Sequence, residues 1–162
     1  MDNTIDIDQV KQALFAASRL GNVPVLREIF GILDDLNIHD ERGYTPLILA
    51  VYNAQLEAAE ALIDAGVDLN VGDNHGNNAL MGACFKGHTE IAKLLIDRGA
   101  QVDALHGNNG TALMFAAMFA RTEIIDLLLA NGADKNLRDS RGLTAYDHAV
   151  QQGNSEAAEK LQ

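Results

Sequence analysis

Five histidines, one cysteine and one glycine-rich run are the residues of this 162-residue chain most able to do chemistry. Their spacing limits what that chemistry could be. His39, His75, His88, His106 and His148 are scattered, and none stands beside a serine or cysteine in a nucleophile motif. A structural or catalytic metal needs three or four ligands that converge. His75 and His106 could lie near one another on successive hairpins, but two isolated imidazoles read as solvated tips. The run His106-Gly-Asn-Asn-Gly110 lacks the strand-to-helix setting of a phosphate loop and reads as a polar turn. Cys84 has no partner for an intramolecular disulfide and sits among apolar residues, as a small buried hydrophobe in a reducing, cytoplasmic compartment would. The expectation is a protein that is not an enzyme and has no catalytic residue, metal or cofactor.

The elements that carry these residues follow a fixed beat. Ala17, Ala50, Ala83, Ala116 and Ala149 recur at one constant interval, and Leu62, Leu95, Leu128 and Leu161 keep the same step. Glu57, Glu90, Glu123 and Glu156 do so too, as do Gly66, Gly99 and Gly132. Such a period means one small unit, unable to bury its own apolar face, stacked on copies of itself. In the unit that opens at Asp40, Thr45 can cap a helix whose first residue is Pro46, with Leu47, Ala50 and Val51 as its apolar stripe. A second helix runs from about Leu56 to Ala65, with Ala58, Ala59, Leu62 and Ile63 inward, and Gly66 can take the left-handed conformation that stops it. Asn78 and Thr111 repeat the cap, and Asp6 or Asp8 starts the first helix, which runs on through Val10, Ala13, Leu14 and Ala17.

Thr45-Pro46-Leu47, Gly87-His88 and Gly132-Ala133-Asp134 with Asn136 together resemble the ankyrin repeat, and the interval between units matches that family's period. The resemblance spans nearly the whole chain and implies an all-α ankyrin-repeat solenoid: stacked antiparallel helix pairs joined by hairpin-like loops. It gives one domain, 1–162, with units 7–39, 40–72, 73–105, 106–138 and 139–162, the first and last acting as caps. Lys160 falls where inner copies carry Leu94 and Leu127, giving the final helix a polar outer face. Two departures stand out. The family's histidine after Thr-Pro-Leu is replaced by Ile48, Met81, Met114 and Asp147, so its hydrogen bond to the threonine is missing and apolar packing must do more. Ala54 and Ala120 stand where Gly21, Gly87 and Gly153 make the inter-helix turn, at a cost of about 1 kcal/mol each if that turn is left-handed, which marks the second and fourth units for early fraying. His88, at the family's Gly-His turn, is expected to hydrogen-bond within it.

Composition removes several function classes. Hydrophobic residues make up 48% and charged residues 22%, enough apolar surface for a packed core. The acidic start, Met-Asp-Asn-Thr-Ile-Asp, has no apolar run behind it and does not read as a secretory signal. No segment approaches the ~18 apolar residues of a membrane span. A formal net charge of −11 argues against nucleic acid and anionic membrane as partners.

The resemblance also implies that partners contact the hairpin tips and the exposed ends of first helices. Carried over by position, the candidate partner-binding residues are Arg42, Tyr44, Tyr52, His75, Phe85, Lys86, Met118, Phe119, Arg138 and Arg141. Aromatics with methionine and arginine are the composition of an interface hot spot. The competing reading packs Tyr52, Phe85 and Met118 sideways against neighbouring units; Phe15, Phe30, Phe115 and Tyr146 are assigned to the core. Arg19 joins the basic residues of this face, while Glu57, Glu60, Asp64, Glu90 and other acids fall on second helices. The expected partner is therefore a protein with an apolar surface and an acidic rim, bound by a monomer that acts as an inhibitor or antidote. An adaptor, or a homodimer formed through the same aromatic strip, is the alternative. An enzyme would need an acid–base pair in the groove, and a nucleic-acid binder would show steep salt dependence.

Overall fold

A computed structural model describes residues 5–162; residues 1–4, on which the reading against a secretory signal partly rests, lie outside the described residues. Ten α-helices and no strand occur among the described residues. They pair in chain order as α1 (Ile7–Leu20) with α2 (Val23–Ile29), α3 (Pro46–Tyr52) with α4 (Leu56–Asp64), and α5 (Ala79–Lys86) with α6 (Thr89–Asp97). The last two pairs are α7 (Ala112–Met118) with α8 (Thr122–Ala130), and α9 (Ala145–Gln151) with α10 (Ser155–Leu161). First helices pack on first helices and second on second, so the architecture is an all-α repeat solenoid. No helix among the described residues is long and apolar enough to cross a membrane.

First helices are started by side chains. Asp6 accepts from the amides of Asp8 and Gln9, Thr45 from Ile48, Asn78 from Met81 and Thr111 from Met114, at 3.0–3.3 Å. Each satisfies an amide that has no partner inside its own helix. The last unit adds a second bond. Asp147, standing where the family has histidine, accepts from both the amide and the hydroxyl of Thr144, at 2.8 and 2.9 Å. The threonine bond expected to be missing is thus replaced there by a capping box, while Ile48, Met81 and Met114 are buried in its stead.

The turn to the second helix is a backbone device. The carbonyls of Ala17, Ala50, Ala83, Ala116 and Ala149 each accept an amide from beyond the helix end, those of Asn22, Gln55, His88, Arg121 and Asn154, at 2.8–3.0 Å. The residue before each donor is left-handed. Gly21, Gly87 and Gly153 take that place, and so do Ala54 and Ala120 with φ of 56° and 52°. The strain expected at both alanines is present. His88 departs from expectation: its amide closes the turn, but its Nε2 is buried with no hydrogen-bond partner.

Stacking is stitched by a polar ladder. Asn37, Asn70 and Asp103, which occupy the same place in successive units, accept the amides of Asp68, Gln101 and Asp134 in the next unit at 2.8, 2.9 and 3.1 Å. Among the second helices, Arg98 bridges to Asp64 and Glu60, and Lys160 reaches back to Asp126 at 2.7 Å. Of the four aromatics assigned to the core, Phe30, Phe115 and Tyr146 are half-buried against it. Phe15 is half-buried too but not against the core: it is the counterpart of buried Ile48, no helix pair among the described residues precedes it, and its ring lines an outer cleft with Arg19 and Arg42.

Replacing Ala54 or Ala120 with glycine is expected to raise stability by up to about 1 kcal/mol each, because relief of the left-handed Cβ exceeds the added chain entropy. Urea midpoints will check this, with Gly153→Ala as the converse: a Cβ there meets nothing within 4 Å, so any loss reports backbone strain alone. Cys84 is fully buried and burial pushes its thiol up, so it should resist thiol reagents until the chain unfolds.

Candidate functional site

Four hairpin tips and the ends of four first helices form one face. At three tips an aspartate ties down the backbone. Asp40 Oδ1 accepts from Arg42 and Tyr44, Asp73 Oδ1 from His75 and Asn77, and Asp139 Oδ1 from Arg141 and Leu143, all at 2.8–3.0 Å. This bonding holds Arg42, His75 and Arg141 in equivalent outward positions. The tips also lean on one another: Gly107 donates to the His75 carbonyl and Ser140 to that of Asn108.

Between the tips and α3–α5 lies a groove of about 400 Å³. Arg42, Tyr44, Tyr52, Phe85 and Lys86, five of the expected residues, line it together with Arg19 and Leu49. The Tyr44 and Tyr52 rings meet edge to face at 5.6 Å, and the Arg42 guanidinium sits 5.9 Å from the Tyr44 centroid. Tyr52 is half-buried; burial first, then the charge of Asp73 and the Tyr44 phenol, push its hydroxyl up and keep it neutral. Gly82 makes room for it, since a Cβ there would lie 3.1 Å from Tyr52 Cε1. Phe85 and Phe119, 40% and 41% exposed, form a second edge-to-face pair at 4.8 Å. The sideways-packing alternative therefore holds in part for all three of its residues: Tyr52 and Met118 are half-buried, and Phe85 packs on Phe119 of the next unit yet stays 40% exposed.

Met118 and Arg141 belong to a separate concavity of about 320 Å³, with Phe115, Asp139, His106 and His148. His75 lies in a shallow depression beside Asn77 and His106. Arg138 is set apart, its Nη1 donating to the Gly142 carbonyl of its own tip at 2.8 Å. A larger cleft of about 640 Å³ between α2 and α4 is lined by Arg27 against Asp34, Asp35 and Asp64, and holds none of the expected residues.

Sequence reasoning missed Asp139 and His148. Both side chains are buried, and His148 Nε2–H donates to Asp139 Oδ2 at 2.9 Å. Burial alone would push the Asp139 carboxyl up. The amides of Leu143 and Arg141 and the His148 imidazole together outweigh it and hold the group below the ordinary carboxylate range. The signal was available: His148 shares the repeat register of Leu49, Gly82 and Phe115, the first-helix position that faces the groove. The imidazole proton is committed to Asp139, and no serine, cysteine or lysine hydrogen-bonds this pair among the described residues. No cluster of three metal-ligating side chains occurs among them either. The pair fastens the last tip to α9.

Because the folded Asp139 carboxyl is depressed, its contribution to stability is present above the unfolded carboxylate range, near pH ~4, and is lost as pH falls through the folded value. Asp139→Asn should therefore lower stability at neutral pH and flatten its acid dependence, read by denaturant melts across that window.

A family model described as ankyrin repeats (3 copies) matches residues 13–106, and a second, ankyrin repeats (many copies), matches residues 95–149. No curated protein matches the chain. The two matches overlap over residues 95–106, from the end of α6 to the third tip, and run across the helix pairs and tips just described, so the chain belongs to the ankyrin-repeat family, whose members are general protein–protein interaction modules and typically not enzymes.

Proposed function

We propose that this chain binds a protein through the groove between its tips and first helices, and acts by covering the partner's active surface. The observation that carries the reading is the Phe85–Phe119 pair: two large rings held edge to face yet about 40% exposed, in a chain with only eight aromatics. Rigid, half-buried aromatics give up little conformational freedom on binding and are the usual anchors of an interface. Arg19, Arg42 and Lys86 surround the adjoining cavity, whose lining includes no carboxylate, although the chain carries a net charge of −11. This local reversal of sign suits an apolar partner surface with an acidic rim. On the opposite helices Arg98 and Lys160 are paired with acids at 2.6–3.3 Å, whereas around the groove, among the described residues, only Arg19 approaches one, Asp40, at 3.9 Å, which favours a blocker with one binding face over an adaptor with two.

The test is affinity capture from a lysate of the source organism with wild type and Phe85→Ala/Phe119→Ala as baits, both verified as folded by circular dichroism. A protein retained by the first should be lost by the second, with about 2 kcal/mol, or thirtyfold in affinity, lost per anchor. Arg42→Glu/Lys86→Glu should slow association and reduce its salt dependence while leaving the fold intact. Equal retention by both baits would rule out the groove. Light scattering over a concentration series separates self-association through the same rings from partner binding.

A further inference from the structure

Two asparagines in this chain precede glycine, Asn109-Gly110 and Asn131-Gly132, and their surroundings differ sharply. Both asparagines are exposed. Asn131 ends α8, where its side-chain Nδ2 donates to the Leu127 carbonyl at 2.8 Å and the Gly132 amide donates to Leu129 at 3.1 Å. Asn109 is at the third tip, and neither its side-chain amide nor the Gly110 N–H has a hydrogen-bond partner among the described residues.

The contrast with the other tips explains why. Their equivalents of the Gly110 amide, at Tyr44, Asn77 and Leu143, are held by the aspartates at 2.9–3.0 Å. At the third tip the aspartate is replaced by His106, whose Nδ1 accepts only from Asn108, at 3.1 Å. Burial lowers the His106 pKa, against the opposing pull of Asp139 and Asp73, and favours the neutral ring, whose Nδ1 is the acceptor because the Asn108 amide donates to it. The ring lies over Gly110, where a Cβ would come within 2.1 Å of Nε2, so no residue larger than glycine fits without moving it. Asn109 itself takes the left-handed place, φ 57°, that Gly43, Gly76 and Gly142 fill elsewhere.

We propose that Asn109 is a site of spontaneous deamidation, with water as the only co-reactant. The Gly110 nitrogen loses its proton and bonds to the Asn109 side-chain carbonyl carbon. The bond from that carbon to the amide nitrogen breaks, ammonia leaves, and a five-membered succinimide remains. Water then opens the ring at either carbonyl, giving aspartate or isoaspartate. Glycine removes the steric barrier to ring closure, and at this tip no acceptor holds the proton that must leave. At Asn131 both the attacking nitrogen and the leaving amide are tied. The product carries one more carboxylate, taking the formal net charge from −11 to −12. The new charge stands between the tips of His75 and Ser140, which lean on this one. The proposal does not depend on the groove's binding role.

The experiment incubates the full folded chain at mildly alkaline pH and follows each asparagine by peptide mapping and mass spectrometry. Asn109 should convert about tenfold faster than Asn131, since two hydrogen bonds must break at the latter. It should also convert well ahead of Asn74, an exposed tip asparagine followed by histidine. Asn109→Gly, which installs the residue found at the other tips, should remove the reactive peptide and leave the circular dichroism unchanged. His106→Asp, which restores the tip carboxylate, should slow Asn109 conversion severalfold. Conversion of Asn131 at the same rate or faster, or of Asn109 no faster than Asn74, overturns the proposal. An unchanged or faster rate in folded His106→Asp overturns the role given to the free amide.

Discussion

Each first helix ends on the same arrangement: an alanine almost wholly shielded from solvent, whose carbonyl accepts an amide from just past the turn. Both halves of that arrangement are needed. The small side chain lets the next first helix approach, since Ala50, Ala83 and Ala116 are fully buried and a larger side chain there would overpack the face. The carbonyl bond turns the chain at a fixed angle, which sets the second helix against the first and returns the backbone to the tip. The tips in turn hold Arg42, His75 and Arg141 in register. A groove built from residues scattered over the sequence is therefore positioned by one short local contact used five times.

The period made the architecture legible. Alanine, leucine and glycine in step are helix-packing and turn signals that need no knowledge of neighbours, and Thr45, Asn78 and Thr111 cap as local chemistry dictates. What the sequence left open depends on contacts between units. Phe15 has the pattern of a core residue, yet its burial depends on a pair stacked before it. Gly-His suggested a hydrogen-bonded histidine, while the Arg121 side chain that lies against Gly87 belongs to the following unit. Asp139 and His148 looked like a tip acid and a scattered histidine, and only the folded chain brings them to 2.9 Å. The ten residues expected at the binding face divide in the same way. Arg42 and Tyr44 of the first tip converge with Tyr52, Phe85 and Lys86 of α3 and α5, and Phe119 pairs with Phe85, whereas Met118 and Arg141, His75, and Arg138 go to three separate surroundings.

Charge in this protein is arranged rather than averaged. Acids dominate the chain, yet several do structural work in the tips, where Asp40, Asp73 and Asp139 each accept two backbone amides. Each of these carboxylates has one oxygen committed to the backbone, while the other still acts on the face: Asp40 Oδ2 lies 3.9 Å from Arg19 and Asp139 Oδ2 3.5 Å from Arg141. The cations beside them stay outward. A basic, aromatic groove can therefore sit on a molecule of strongly negative net charge without either feature contradicting the other.

The two left-handed alanines acquire a further meaning from where they stand. Ala54 and Ala120 turn the second and fourth helix pairs, and the pairs on both sides of each turn on glycine. In a linear stack an end pair is held by one neighbour and an inner pair by two. The strained joints thus lie where release would require opening two interfaces at once. Intrinsic weakness and positional support offset each other along the chain. The early fraying that strain alone would give the second and fourth pairs is therefore opposed by two flanking interfaces, so backbone strain and stacking act against each other at the same two joints.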